Sequence, residues 1–352
     1  MSDGECQEAV FAFLADPATH GGCAVKRIDT HAASVFLVGE RALKVKRAVR
    51  FPFLDYSTLA KRKSACEAEL RINRSFAPDI YRRVLAITRE ANGKLALDGS
   101  GTPVEWALEM RRFDENATLD RLAERGMIDA VLADGLGRVV ASLHAAAEPV
   151  EAEPWITALA DYIEQNDAAF RERPDLFPPA EVDVLTARSR AGHARLRPLL
   201  VERGGRGLIR RLHGDLHLGN IVLLGGRPVP FDAIEFSPLV ASGDVLYDLA
   251  FLLMDLVERG LKPAANLVLN RYLVSRRDEA GRGSRCARSS PALPVDTRRD
   301  PRQGDCGAAC TCRIGSDQRD RAQRAHIFPI RAAMRRTGAP SPARDRRALR
   351  HR

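Results

Sequence analysis

One stretch of the sequence concentrates side chains that handle protons, cations and phosphates: His213-Gly214-Asp215-Leu216-His217-Leu218-Gly219-Asn220. Asp215 is a carboxylate able to accept a hydroxyl proton. Asn220, five residues on, offers an amide oxygen to a hard cation. Residues 221–224 and 229–231 read as two strands around a Gly225-Gly226 turn, and the second ends at another carboxylate, Asp232. One Asn and one Asp suffice for Mg²⁺, which takes few protein oxygens and fills its shell with phosphate oxygens and water. His213, Asp215 and His217 also contain zinc-ligand types, so a zinc hydrolase is the competing chemistry, although no second His cluster completes such a site. The plainest alternative is a polar loop at a strand–helix junction.

The elements that must position these residues fall into two groups. A short amphipathic helix over 5–15 precedes strands between 25 and 49, where Val35-Phe36-Leu37-Val38 turns at Gly39-Glu40-Arg41 and returns through Ala42-Leu43-Lys44-Val45-Lys46. Residues 57–75 have helical spacing, and strands are predicted over 81–87, 94–97 and 104–110. Two helices follow in 118–148, then helical sequence over 155–203 interrupted near Pro174, Pro178 and Pro179. Beyond the His213–Asn220 stretch and its hairpin come an apolar helix over 244–258 and another over 264–274. A mostly β first third followed by a mostly α remainder predicts two lobes with a cleft between them.

At the offsets of His213, Asp215, Leu216 and Asn220 the stretch resembles the protein-kinase catalytic loop H-R-D-L-x-x-x-N, and Asp232 stands where kinases carry the D-F-G aspartate. With Phe231-Asp232 and the run Gly243-Asp244-Val245-Leu246-Tyr247-Asp248-Leu249-Ala250, the chain is similar to the aminoglycoside phosphotransferase family over roughly residues 20–275. The resemblance implies an α+β, two-lobed protein-kinase-like fold: an N-terminal helix in 1–19, a small β-rich N-lobe over 20–113 and a larger α-helical C-lobe over 114–275. It implies transfer of the γ-phosphoryl group of ATP, with GTP as the alternative donor, to a hydroxyl of a small sugar, polyol or aminocyclitol. Asp215 is then the base, Asn220 and Asp232 hold Mg²⁺, and Asp248 has a structural role below the site.

The same resemblance calls for an N-lobe lysine on the phosphates, paired with a helix glutamate. Ala42-Leu43-Lys44 fits the A-x-K pattern, and Lys46, on the same strand face, is its rival. Glu67 is the favoured partner and Glu69 the second. The nucleotide-covering loop Asp29-Thr30-His31-Ala32-Ala33-Ser34 has no glycine, so the hydroxyls of Thr30 and Ser34 are expected to replace its amides. The connector around Met110 is expected to hold the adenine by backbone bonds. More narrowly, Thr30-His31, the run 44–55 and Glu67-Ala68-Glu69-Leu70 resemble a bacterial branch often fused to a C-terminal P-loop kinase. No G-x-x-x-x-G-K-[ST] occurs here, so that second domain is expected to be missing.

Charge separates the body from the tail. The whole chain carries +9, but residues 276–352 hold 20 Arg, no Lys and 8 acids, which leaves 1–275 mildly acidic. Nucleic acid is therefore not an expected partner of the body, although the tail has the electrostatics for it. The tail is rich in Arg, Ala, Pro, Gly and Ser without periodicity. It reads as disordered, and its composition is that of GC-rich DNA translated in a shifted frame. Cys286, Cys306, Cys310 and Cys312 have poor spacing for structural zinc. An acidic N-terminus and the lack of a long apolar run predict a cytoplasmic protein without a membrane span. Asp161, Glu164 and Asp167 suit either a cationic acceptor or a solvated helix face. The alternative function is an inactive or truncated nucleotide binder whose tail contacts nucleic acid.

Overall fold

A computed structural model describes residues 3–51 and 54–283. The Arg-rich segment beyond, with its four cysteines and the expectations of disorder, zinc and nucleic-acid contact, lies outside the described residues.

Helix α1 (Asp3–Ala15) leads into strands β1 (Val25–Asp29), β2 (Ala33–Val38) and β3 (Arg41–Lys46). A small hairpin, β4 (Arg50–Phe51) and β5 (Leu54–Asp55), precedes helix α2 (Leu59–Phe76), and β6 (Tyr81–Arg89), β7 (Leu95–Leu97) and β8 (Thr102–Arg111) complete the lobe. The six-stranded sheet has the order β1-β2-β3-β8-β6-β7 with every pair antiparallel. Strand alternation sorts β3 into two faces. Leu43 and Val45 join Phe36, Leu85, Ile87 and Ala107 under Val10, Phe11 and Leu14 of α1. Ala42, Lys44 and Lys46 point the other way, into the cleft.

Helix α2 starts at Thr58, whose hydroxyl accepts the Lys61 amide. Its buried residues are Arg62, Cys66, Glu69 and Asn73. These fall at helical spacing, so they form one stripe, but the stripe is mostly polar. The buried stripe of this helix therefore packs through hydrogen bonds and ion pairs, with Leu70 beside it joining the apolar cluster of Ile80, Tyr81 and Leu108.

The larger lobe contains α3 (Leu119–Glu124), α4 (Ala130–Ala146), α5 (Ala152–Arg171) and α6 (Pro179–Gly205), then β9 (Ile209–Arg211), the hairpin β10 (Ile221–Leu224) and β11 (Arg227–Pro230), β12 (Ser242–Asp244), α7 (Val245–Glu258) and α8 (Lys262–Gly283). The last helix runs past the boundary expected at residue 275. Leu136 and Val140 of α4, Leu249, Leu252 and Leu256 of α7, and Val268 and Tyr272 of α8 enclose Leu216, Leu218 and Ile221. The two leucines alternate with the polar residues of the 213–220 stretch, so the core itself holds that loop. Gly137 lets α4 and α8 meet: a Cβ there would lie 2.7 Å from the Val268 carbonyl oxygen. Among the described residues no helix is long and apolar enough to cross a membrane.

Candidate active site

The 213–220 loop leaves β9 and is fixed by its own backbone partners. His213 is buried, and its Nε2 donates to the Phe231 carbonyl at 2.9 Å, tying the loop to the end of the β10–β11 hairpin. Its Nδ1 faces the Asp215 amide at 3.4 Å. Gly214 has φ +81°, and a Cβ there would meet Ala241 at 2.9 Å, so only glycine fits. The Gly214 amide donates to Asp248 Oδ1 at 3.0 Å. Asp248 Oδ2 lies 3.1 Å from His144 Nε2, and His144 Nδ1 lies 3.0 Å from the Tyr272 hydroxyl. Side chains of α7, α4 and α8 thus anchor the loop from below. Asp244 caps α7 by accepting the Leu246 amide.

Burial holds the His213 imidazole below its ordinary value, against the opposing pull of Asp248 and Asp215. The unfolded chain, titrating near 6.5, then binds the proton that the folded chain refuses. Stability from this group is present above that value and is lost as pH falls below it. His213→Gln keeps a donor for Phe231 and removes the titration. The urea midpoint of the wild-type chain should therefore fall more between pH 7.5 and 5.5 (roughly one unit either side of the free imidazole value) than that of the variant. Equal falls would show that His213 is not held neutral.

Asp215 and Asn220 are locked together. Asn220 Nδ2 donates to the Asp215 carbonyl at 3.0 Å and to Asp215 Oδ2 at 2.9 Å. His217 Nε2 faces the same carboxylate oxygen at 3.5 Å, while its Nδ1 accepts the Gly219 amide. Asn220 Oδ1 is left buried without a hydrogen-bond partner among the described residues, and a buried unsatisfied oxygen is costly. Asp232 follows β11 in a left-handed conformation, φ 62°, rare for a residue with a side chain. Its amide donates to the Tyr81 hydroxyl at 3.0 Å, and Asn73 clamps the next residue through both the Ala233 amide and the Ala233 carbonyl. An orphaned amide oxygen together with the Asp232 carboxylate fits a hard, oxygen-seeking cation such as Mg²⁺. The zinc reading is overturned. Both His213 nitrogens are turned to backbone, and no group of three His, Cys, Asp or Glu residues able to hold a metal occurs among the described residues.

Both candidate lysines enter the site, and one glutamate holds both. Lys44 Nζ lies 2.6 Å from Glu69 Oε1 and 2.8 Å from Asp232 Oδ1. Lys46 Nζ lies 2.5 Å from Glu69 Oε2 and 2.5 Å from Glu235 Oε1. Burial alone would push the two ammonium groups down. For Lys44 the Asp232 and Glu69 carboxylates outweigh it, and for Lys46 Glu235 and Glu69 do, so both stay above the ordinary lysine value. The charges alternate along a ladder, Asp232, Lys44, Glu69, Lys46, Glu235, with carboxylates at both ends. The favoured partner Glu67 is a correction. It lies off the buried stripe of α2, is exposed, and approaches Lys63 at 3.8 Å. Successive helix residues point about 100° apart, so the neighbour of a buried Cys66 faces water.

The hydroxyls of Thr30 and Ser34 are a second correction. Thr30 Oγ1 accepts the Ala33 amide at 2.9 Å and donates to the Ala33 carbonyl, and Ser34 Oγ donates to Asp29 at 2.7 Å. The loop spends both on its own turn instead of on a ligand. It lines a cleft of about 330 Å³ that runs from Met110 and Phe113 past Lys44 to Asp215 and Asp232. Beside Met110, the Arg111 and Arg112 amides are committed to the Ile80 and Glu40 carbonyls. Asp161, Glu164 and Asp167 do not line this cleft; Glu164 pairs with Arg190, and Asp167 pairs with Arg171 and accepts from Thr186. Tyr81, Asn73, Tyr56 and Glu235 carry no motif and had no signal in the sequence beyond their types.

Comparison with known proteins gives three findings. The model of the Phosphotransferase enzyme family matches residues 67–283. Uncharacterized proteins of Mycobacterium tuberculosis and Mycobacterium bovis are each 28% identical over 259 residues, 72% of this chain and 50% of the relative. The chain therefore spans about half the length of the curated relatives it matches. A crystal structure of a choline/ethanolamine kinase family protein from Mesorhizobium loti aligns with a TM-score of 0.45 at 17% identity, over 79% of this chain and 80% of that one.

Proposed function

The chain belongs to the phosphotransferase enzyme family, and on that premise we propose that it transfers the γ-phosphoryl group of ATP to a hydroxyl of a small molecule of the sugar, polyol or aminocyclitol class. The observation that carries this reading is that Asp215, joined to Asn220 whose Oδ1 is left unsatisfied, lines one cleft with Asp232 and Lys44.

Asn220 Oδ1 and the Asp232 carboxylate would hold Mg²⁺, which when bound neutralises the phosphate oxygens. Lys44 supplies a fixed positive charge to the donor phosphates, and Glu69 holds its ammonium in place. The Asn220 amide orients the Asp215 carboxylate, which takes the acceptor hydroxyl's proton. The apolar end of the cleft, at Met110, Phe113 and Phe231, supports a purine.

Thermal unfolding of the full chain tests this. Mg·ATP at a hundredfold excess over its Kd stabilises by about 2.7 kcal/mol, so the wild-type transition should rise clearly. In Asp232→Ala it should stay where the free protein melts. A wild-type chain whose transition moves with neither Mg·ATP nor Mg·GTP is not a nucleotide-dependent phosphotransferase.

A further inference from the structure

The segment Asp232–Glu235 follows β11 of the larger lobe, yet most of the side chains that fix it come from the smaller one. Tyr81 of β6 accepts the Asp232 amide, Asn73 of α2 brackets Ala233, and Lys44 of β3 takes the Asp232 carboxylate. The far end of the segment is pinned in the same way. Glu235 Oε1 is held by Lys46 Nζ at 2.5 Å and by the Tyr56 hydroxyl at 2.9 Å. The Lys46 ammonium also lies 5.2 Å from the Tyr56 ring centre, and its side chain is 5% exposed.

Lys44 and Lys46 stand two residues apart on one strand and are joined beneath by the two oxygens of Glu69. The spacing of the lysines on β3 is therefore matched to the spacing of Asp232 and Glu235 on the opposing segment. We propose that Glu235 is a positioning residue for Asp232: the Lys46–Glu235–Tyr56 contact fixes the end of the segment and so holds the metal-binding carboxylate, in its left-handed backbone, at the site.

This role explains why two lysines, the half-buried Lys44 and the buried Lys46, face the cleft where one suffices for phosphate. When Lys44 turns from Asp232 to the donor phosphates, its hold on the segment weakens. The carboxylate partners of Lys46 are Glu69 and Glu235, so its grip on Glu235 persists through that change, and Glu69 stays tethered to it. The second lysine thus keeps the Asp232 segment registered on the small lobe while the first is engaged with the nucleotide.

The proposal rests on the phosphotransferase reading, and its test separates the two. Binding of a non-hydrolysable ATP analogue to the full chain is measured with and without Mg²⁺, in wild type and in Glu235→Gln. Partners that orient a metal ligand are worth about 10–100-fold in metal affinity. The Mg²⁺ concentration giving half of the metal-dependent binding should rise about tenfold or more in Glu235→Gln, with metal-free nucleotide affinity unchanged and with excess Mg²⁺ restoring binding. A general loss of packing would lower both affinities alike. Mg²⁺ dependence equal to wild type, or a loss that appears equally without metal, overturns the proposal. Should Glu235→Gln not fold, Tyr56→Phe removes one of the two donors and must shift the Mg²⁺ dependence in the same direction by a smaller factor. No shift there overturns the proposal as well. A wild-type chain that binds no nucleotide under either condition strikes the phosphotransferase reading itself and this inference with it.

Discussion

Asp215→Asn is expected to leave Mg·nucleotide binding intact and to lower turnover by about 10²–10⁴-fold, the usual contribution of a positioned general base. The substitution is nearly isosteric. The new side chain can still present a carbonyl oxygen to Asn220 Nδ2, which now donates to Asp215 Oδ2 at 2.9 Å. The other terminus becomes an amide that donates where the carboxylate accepted, so the acceptor hydroxyl loses the oxygen that takes its proton. Lys44, Asn220 Oδ1 and Asp232 keep their places, and the thermal shift with Mg·ATP should survive. The rate is read as ADP release, both with a panel of sugars, polyols and aminocyclitols and with water as the default acceptor. If the variant turns over within a factor of about ten of wild type, Asp215 is not the base. If binding is lost too, the loop depends on the Asp215 charge for its shape.

The parts of this site that were legible in the sequence are those set by short range. His213, Asp215 and Asn220 lie within one loop, and their offsets already contain the geometry that brings an amide back onto a carboxylate. Asp232 was legible because a two-strand hairpin carries the chain a fixed distance. The Lys44 and Lys46 ambiguity was a real property of the strand: period-two alternation places both on one face, and Glu69 pairs with both. Glu67 failed on helix phase. The polar stripe Arg62, Cys66, Glu69 and Asn73 is visible once α2 is read for a buried face of any chemistry rather than an apolar one. Thr30 and Ser34 failed because hydroxyls beside a turn bond their own backbone first. Glu235 was out of reach for a different reason. Its partners Lys46 and Tyr56 are 189 and 179 residues away, and only the docking of the small lobe on the 232–235 segment joins them.

The largest stability effect is expected at Arg62, remote from any motif. Its Nε lies 2.9 Å from both oxygens of Glu105, its Nη1 donates to the Tyr56 carbonyl at 3.1 Å, and both charged residues are almost wholly buried. Gln7 of α1 adds a donor to Glu105 at 2.8 Å and reaches the Lys46 carbonyl at 2.9 Å, so α1, α2, β3 and β8 meet at one ion pair. Arg62→Met leaves the Glu105 carboxylate buried with two amide donors, Gln7 Nε2 and the Trp106 N–H, but no countercharge. Breaking a buried pair in this way costs about 3–5 kcal/mol, a large share of the 5–15 kcal/mol that holds a typical domain together. Replacing both partners, Arg62→Met with Glu105→Leu, removes the stranded charge and should return most of that loss, because a well-packed apolar pair is often as stable as a buried ionic one. Urea unfolding followed by the fluorescence of Trp106, beside the pair, and of Trp155 compares the three chains. A single variant within about 1 kcal/mol of wild type would mean that water or a shifted side chain already satisfies Glu105. A double variant as unstable as the single one would mean that the Tyr56 carbonyl, not the charge, is what Arg62 supports. Through Tyr56 the same residue bears on the contact with Glu235. The double variant should therefore regain stability without regaining the wild-type dependence on Mg²⁺.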